Sequence, residues 1–252
     1  MLIKSNTLRG YKLLAMDGEI GKARDFYFDD EFWTIRYLVA STGNWLAGKQ
    51  VLLAPYALGK VSTENENVEI HLTREQIEGA PSPDSDKPVS RQDEMEFAGY
   101  YGWPHYWTDK FLWGAASYAH PDQETFPPDV ASDKSWDPHL WSTEAVEANA
   151  IHALDGELGH VDDFIIDDAT WTIRYLVIDT KNWLPGRKVL VSPRWIDRID
   201  WDGLKVFVNL TRDAIKNSPE YSEDALLDRE YEMHLHGHYN RDGYWEENRV
   251  YR

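Results

Sequence analysis

The segment His234-Leu235-His236-Gly237-His238 has the residue types and spacing best suited to metal chemistry, since imidazole nitrogens bind Zn²⁺ or Ni²⁺. On an extended segment the three alternate histidines point one way. On a helix, His234 and His238 share a face and His236 points away, leaving two imidazoles with no clear third ligand. The doublets Asp29-Asp30 and Asp167-Asp168 are paired carboxylates, able to do acid–base work or hold a hard cation. Each doublet also ends a β-favouring run, where aspartate hydrogen-bonds turn backbone, and the turn reading is preferred. Arg36 and Arg174 sit inside apolar runs and need a carboxylate, so a structural ion pair with a turn aspartate is preferred to anion binding. Trp33, Trp45, Trp171 and Trp183 could stack a ligand but fit core or loop packing better. No Ser-His-Asp order with a nucleophile elbow, Gly-rich phosphate loop or His-Glu-x-x-His helix is present, so no catalytic residue and no cofactor is expected.

The elements that must carry these residues come in two copies. Asp17-Gly18-Glu19-Ile20-Gly21 recurs as Asp155-Gly156-Glu157-Leu158-Gly159, an offset of 155 − 17 = 138. At that offset Trp33-Thr34-Ile35-Arg36-Tyr37-Leu38-Val39 falls on Trp171-Thr172-Ile173-Arg174-Tyr175-Leu176-Val177, and Leu72-Thr73-Arg74 falls on Leu210-Thr211-Arg212. A period this long describes repeated domains, because solenoid units of about 20–50 residues cannot bury a core alone. The expected organisation is copy one over 1–97, an aromatic- and Pro-rich linker over 98–138, copy two over 139–240 and a tail over 241–252.

Within a copy, Leu13 to Met16 runs into Asp17-Gly18, a hairpin signal, and Ile20–Phe28, Trp33–Ala40, Gln50–Leu53 and Val68–Leu72 read as further strands of a meander. Thr73 is expected to cap a short helix and Ser90 a second. Short strands and little helix point to an all-β fold of two small barrels, a closure that hides strand edges. The Asp-Gly-Glu-x-Gly turn, Phe26 followed by Asp29-Asp30, Arg-Tyr-Leu-Val, and Trp-Leu-x-Gly before an apolar strand ending at Pro55 or Pro193 together resemble the PRC-barrel family. That family is named for the cytoplasmic domain of the H subunit of the purple bacterial photosynthetic reaction centre. The resemblance implies tandem PRC-type barrels, protein binding, and a link to reaction-centre or membrane electron-transfer complexes. The H subunit also has a membrane helix and a single barrel, two departures from this chain.

The formal net charge of −18 disfavours nucleic acid and anionic membrane as partners, because the surface repels phosphate. Cysteine is absent, which excludes thiolate chemistry and fits a reducing compartment. With no long apolar run, no membrane insertion is expected and a cytoplasmic location is. The linker segment Tyr100-Tyr101-Gly102-Trp103-Pro104-His105-Tyr106-Trp107, followed by Phe111-Leu112-Trp113, is too aromatic for a solvated tether. It either covers its own barrels or offers Trp103, Trp107, Phe111 and Trp113 to a protein partner. The duplicated barrels are expected to pair with each other, within one chain or across two in a homodimer. The expectation is a non-enzymatic interaction and assembly module. The alternative is a small-ligand or metal sensor using a pocket between the barrels or the His234, His236 and His238 cluster.

Overall fold

The computed structural model describes residues 1–43, 46, 50–81, 91–103, 140–180, 187–222 and 227–246. Strand β1 (Leu2–Lys4) and the one-turn helix α1 (Ser5–Leu8) lead into β2 (Lys12–Ala15), β3 (Gly18–Asp29), β4 (Thr34–Ser41) and β5 (Gln50–Leu53). A 3-10 turn at Pro55–Ala57 precedes β6 (Leu58–Ser62), β7 (Asn67–Ile70), α2 (Arg74–Glu78) and α3 (Arg91–Tyr101). The same order follows as β8 (Leu140–Ser142), α4 (Thr143–Val146), β9 (Ala150–Ala153), β10 (Gly156–Asp167), β11 (Thr172–Asp179) and β12 (Lys188–Val191). It continues through a 3-10 turn at Pro193–Trp195, β13 (Ile196–Asp200), β14 (Lys205–Val208), α5 (Arg212–Lys216) and α6 (Arg229–His238). Except at the end of the last helix, the second set has the bounds of the first moved by the offset seen in the sequence. The fold is mostly β. None of the described helices is long and apolar enough to cross a membrane.

The chain forms two compact units. Unit 1 is Met1, Ile3–Ala145 and Ile166–Ile173; unit 2 is Leu2, Val146–Ile165 and Arg174–Arg252. These bounds differ from those expected from the repeat, because residues 140–145 and 166–173 fall inside copy two by sequence yet belong to unit 1. Hydrogen bonds give the reason for the first of these segments. Strand β8 pairs antiparallel with β3, Phe28 facing Trp141, and Asp25 accepts from the Thr143 hydroxyl at 2.8 Å and the Glu144 amide at 3.1 Å. For the second, Thr172 pairs with Thr34, and the ring of Trp171 stacks on Phe26 with centroids 6.4 Å apart.

Unit 1 is not the simple meander that local patterning suggests. Strand β7 returns to lie parallel to β2, giving the order β6-β7-β2-β3-β4-β5, and unit 2 repeats it as β13-β14-β9-β10-β11-β12. A parallel neighbour needs a long crossover, which the two intervening hairpins supply. Strand β4 is buried on both faces. The face carrying Tyr37 and Val39 packs with Leu52, Ala54, Phe97 of α3 and Leu140. Since Phe97 and Ala98 are both buried within α3, the expected domain end at 97 cuts through a helix.

The shared turn motifs have specific jobs. A Cβ at Gly21 would lie 2.0 Å from the carbonyl oxygen of Ser41, and one at Gly159 1.9 Å from that of Asp179, at φ +137° and +153°. Only glycine permits that approach. Asp17 spends its carboxylate on the Arg74 amide at 2.8 Å, 57 residues away, and Asp155 does the same for Arg212 at 2.8 Å. Thr73 caps α2 in a capping box with Gln76, and Thr211 caps α5. The cap expected at Ser90 lies outside the described residues.

Candidate functional site

Buried charge is the best guide to a site, because an ionised group inside a protein is retained only where it is paired or put to use. In unit 1, Arg36 Nε donates to Asp29 Oδ2 at 2.6 Å, both side chains being buried. Asp29 also accepts from the Phe32 amide at 2.6 Å and so closes the turn. Desolvation pushes the Asp29 carboxyl above its usual range while the guanidinium pulls it back. This is the structural ion pair expected of Arg36. Trp33 adopts φ 52° and Trp171 φ 53°, left-handed conformations rare for a large side chain, and both rings are buried rather than offered to a ligand.

The densest arrangement is in unit 2. Asp228 caps α6 by accepting from the Tyr231 amide at 2.8 Å, which starts the helix so that Glu232, Leu235 and His236 face inward. Glu232 Oε1 accepts from the hydroxyls of Tyr175 and Tyr244, each at 2.9 Å, and Oε2 lies 3.1 Å from Arg229 Nη1. His236 Nε2 is 3.0 Å from the Tyr175 hydroxyl, and its Nδ1 is 3.0 Å from the carbonyl oxygen of Asp242. A carbonyl only accepts, so Nδ1 carries the ring proton and Nε2 is an acceptor. Nε2 and Glu232 then compete for the one Tyr175 proton, and the charged carboxylate is the stronger acceptor. Trp195 and Trp245 meet the His236 ring edge-on at 5.1 and 5.0 Å, and Arg174 lies 4.0 Å above the Tyr244 ring.

Burial, followed by the charge of Glu232, pushes the Tyr175 hydroxyl far above its ordinary value and that of Tyr244 up to about 12. Burial lowers the His236 pKa, outweighing the raising effect of the Asp242 carbonyl. All three groups therefore hold fixed protonation states at neutral pH. With Tyr244 and Trp245 laid over it, the network acts as a clamp that fastens α6 and the tail to the sheet. Tyr175, the member the others converge on, is among the largest fully buried side chains.

The three histidines of the sequence motif do not gather at one point. His236 is turned into the clamp, His234 is exposed on another face of the helix, and His238 Nε2 contacts the Ala214 carbonyl oxygen at 2.8 Å. In unit 1 the position matching His238 is Tyr100, whose hydroxyl donates to the carbonyl of Gln76 at 2.9 Å, so this contact ties helix to helix in both units. Of the aromatic candidates, Trp103 stacks on Tyr101 with centroids 4.1 Å apart and packs against the core around Tyr37 and Phe97. Trp107, Phe111 and Trp113 lie outside the described residues, as do Trp45 and Trp183.

Residues 152–215, from His152 in β9 to Ile215 in α5, match the family model of the PRC-barrel domain. The chain carries a PRC-barrel domain. The match spans β10, β11 and the strands that return to β9, so it includes Tyr175 and Trp195 of the clamp, and it ends before α6, which carries Glu232 and His236. An uncharacterized protein of Deinococcus radiodurans is 33% identical over 82 residues, a stretch covering 32% of this chain and 29% of that protein.

Proposed function

We propose that this chain is a non-enzymatic protein-interaction and assembly module, in which a PRC-barrel scaffold presents an acidic surface to a partner protein carrying basic patches. The observation that carries the reading is the closure of two buried polar networks. Asp29 and Arg36, and likewise Tyr175, Glu232 and His236, are spent on one another, so the acid–base groups that burial has tuned serve the fold. What the chain turns outward is charge, a formal −18 over 252 residues, and complementary charge accelerates encounter and selects the partner. Family resemblance suggests a reaction-centre or membrane electron-transfer complex as the partner class. A homodimer is the competing assembly.

Affinity capture from native lysate at low and at high salt tests the reading. Contacts between an acidic module and a basic partner weaken as salt screens them, over a Debye length that falls from about 10 Å at 0.1 M to about 3 Å at 1 M. A captured protein released along that gradient supports the proposal. Capture of nothing but further copies of the chain, or capture indifferent to salt, contradicts it. The sensor reading loses its first support, since His234, His236 and His238 are turned to different surroundings.

A further inference from the structure

Three ligand-type side chains in unit 2 meet away from the clamp. His160 and Asp162 are two apart on β10 and so project to the same face, and Asp179 ends β11. One ligand atom from each lies within 4.8 Å of the other two. An imidazole nitrogen with two carboxylate oxygens suits a first-row divalent ion such as Zn²⁺, whereas Ca²⁺ and Mg²⁺ take oxygen ligands. The strands are held close at this point by Gly159, whose absent side chain lets its backbone approach the Asp179 carbonyl.

Unit 1 provides an internal comparison. At the matching positions it has Lys22, Arg24 and Ser41, with Gly21 making the same close approach to the Ser41 carbonyl. The backbone therefore accepts two cations and a hydroxyl as readily as it accepts three ligands, and the donor set of unit 2 is not a requirement of the fold. A second observation also points to a cation. Lys188 Nζ, which replaces Gln50 of unit 1, reaches into the group and lies 2.7 Å from Asp162 Oδ2.

We propose that His160, Asp162 and Asp179 form a binding site for a divalent transition-metal ion of the Zn²⁺ class, with the Lys188 ammonium as the internal cation that the metal displaces. Binding exchanges the Lys188–Asp162 ion pair for coordination and frees the side chain that begins β12. Water completes the coordination sphere, because three protein ligands leave a tetrahedral ion one position open.

The test is calorimetric titration of the tag-free, full-length protein with zinc chloride, accompanied by the absorption spectrum of the cobalt(II) form as a readout of the donor atoms. One ion per chain is expected. His160→Lys and Asp179→Ser install residues that unit 1 already carries on the same backbone, and each should weaken binding by about 100-fold or more. Asp162→Asn keeps the side-chain shape and should also weaken binding, which guards against misfolding of either of the others. Lys188→Gln should tighten binding roughly fivefold by removing the competitor. A His234→Ala/His238→Ala double variant should bind as the wild type does. Absence of saturable uptake below about 1 mM zinc overturns the site. So does undiminished binding by His160→Lys, or loss of binding in the His234/His238 variant.

Discussion

Replacing Tyr175 by phenylalanine removes one hydroxyl and little volume, yet that hydroxyl stands 2.9 Å from Glu232 Oε1 and 3.0 Å from His236 Nε2. Glu232 is buried, and after the change it keeps the Tyr244 hydroxyl and Arg229 while losing one charge-assisted hydrogen bond. Hydrogen bonds to charged groups contribute about 1.5–3 kcal/mol, and a buried acceptor left short cannot recover that from water. Phenylalanine fills the same space at this fully buried position, so no cavity penalty is added. The expected loss is therefore about 2 kcal/mol, a fall of roughly 4–8 °C in Tm for a chain of this size. Urea unfolding followed by tryptophan fluorescence measures it, since Trp195 and Trp245 border the network at His236. A loss below about 0.5 kcal/mol would mean that Glu232 is not held by Tyr175, and the clamp as described would be wrong.

Three further perturbations probe other parts of the account. Because burial lowers the His236 pKa, its contribution to stability is full above the unfolded value of about 6.5 and is lost as pH falls through the lower folded value. Stability measured by urea titration should thus drop as pH falls below about 6.5, with a smaller drop in His236→Gln. Gly159→Ala places a methyl group 1.9 Å from the Asp179 carbonyl oxygen and should cost more than about 3 kcal/mol in the same assay, if the protein folds at all. Asp155→Ala removes the acceptor for the Arg212 amide and should cost about 1 kcal/mol, seen as faster amide exchange at the start of α5.

Hairpin positions and helix caps are legible in the sequence because local chemistry decides them. Thr73 with Gln76 makes a capping box, and the alternating Val68 and Ile70 are buried as a half-buried strand requires. The Arg36–Asp29 pair is legible for the same reason, since a charge in an apolar strand needs a nearby carboxylate. Long-range placement is not legible. The parallel pairing of β7 with β2 depends on how hairpins fold back, and the allocation of residues 140–145 to unit 1 depends on Asp25 finding Thr143 and Glu144 far along the chain. His236 looked like a metal ligand because its neighbours in sequence are histidines, yet the helix carries it inward to Tyr175. The signal for its real setting was the pattern Arg229, Glu232, His236, a polar stripe at helical spacing with no matching histidine at Ala98. His160, Asp162 and Asp179 could have been found by asking where the two repeats differ instead of where they agree.

The most direct test of the interaction reading is affinity capture with a Trp107/Trp113→Ala variant, which spares the core-packed Trp103, its fold verified by circular dichroism and thermal melting, beside the unaltered protein. If the chain is an assembly module that uses its aromatic segment, the unaltered protein recovers a partner and the variant does not. Equal recovery by a folded variant would contradict that use of the segment, and recovery of no partner by either would contradict the module itself.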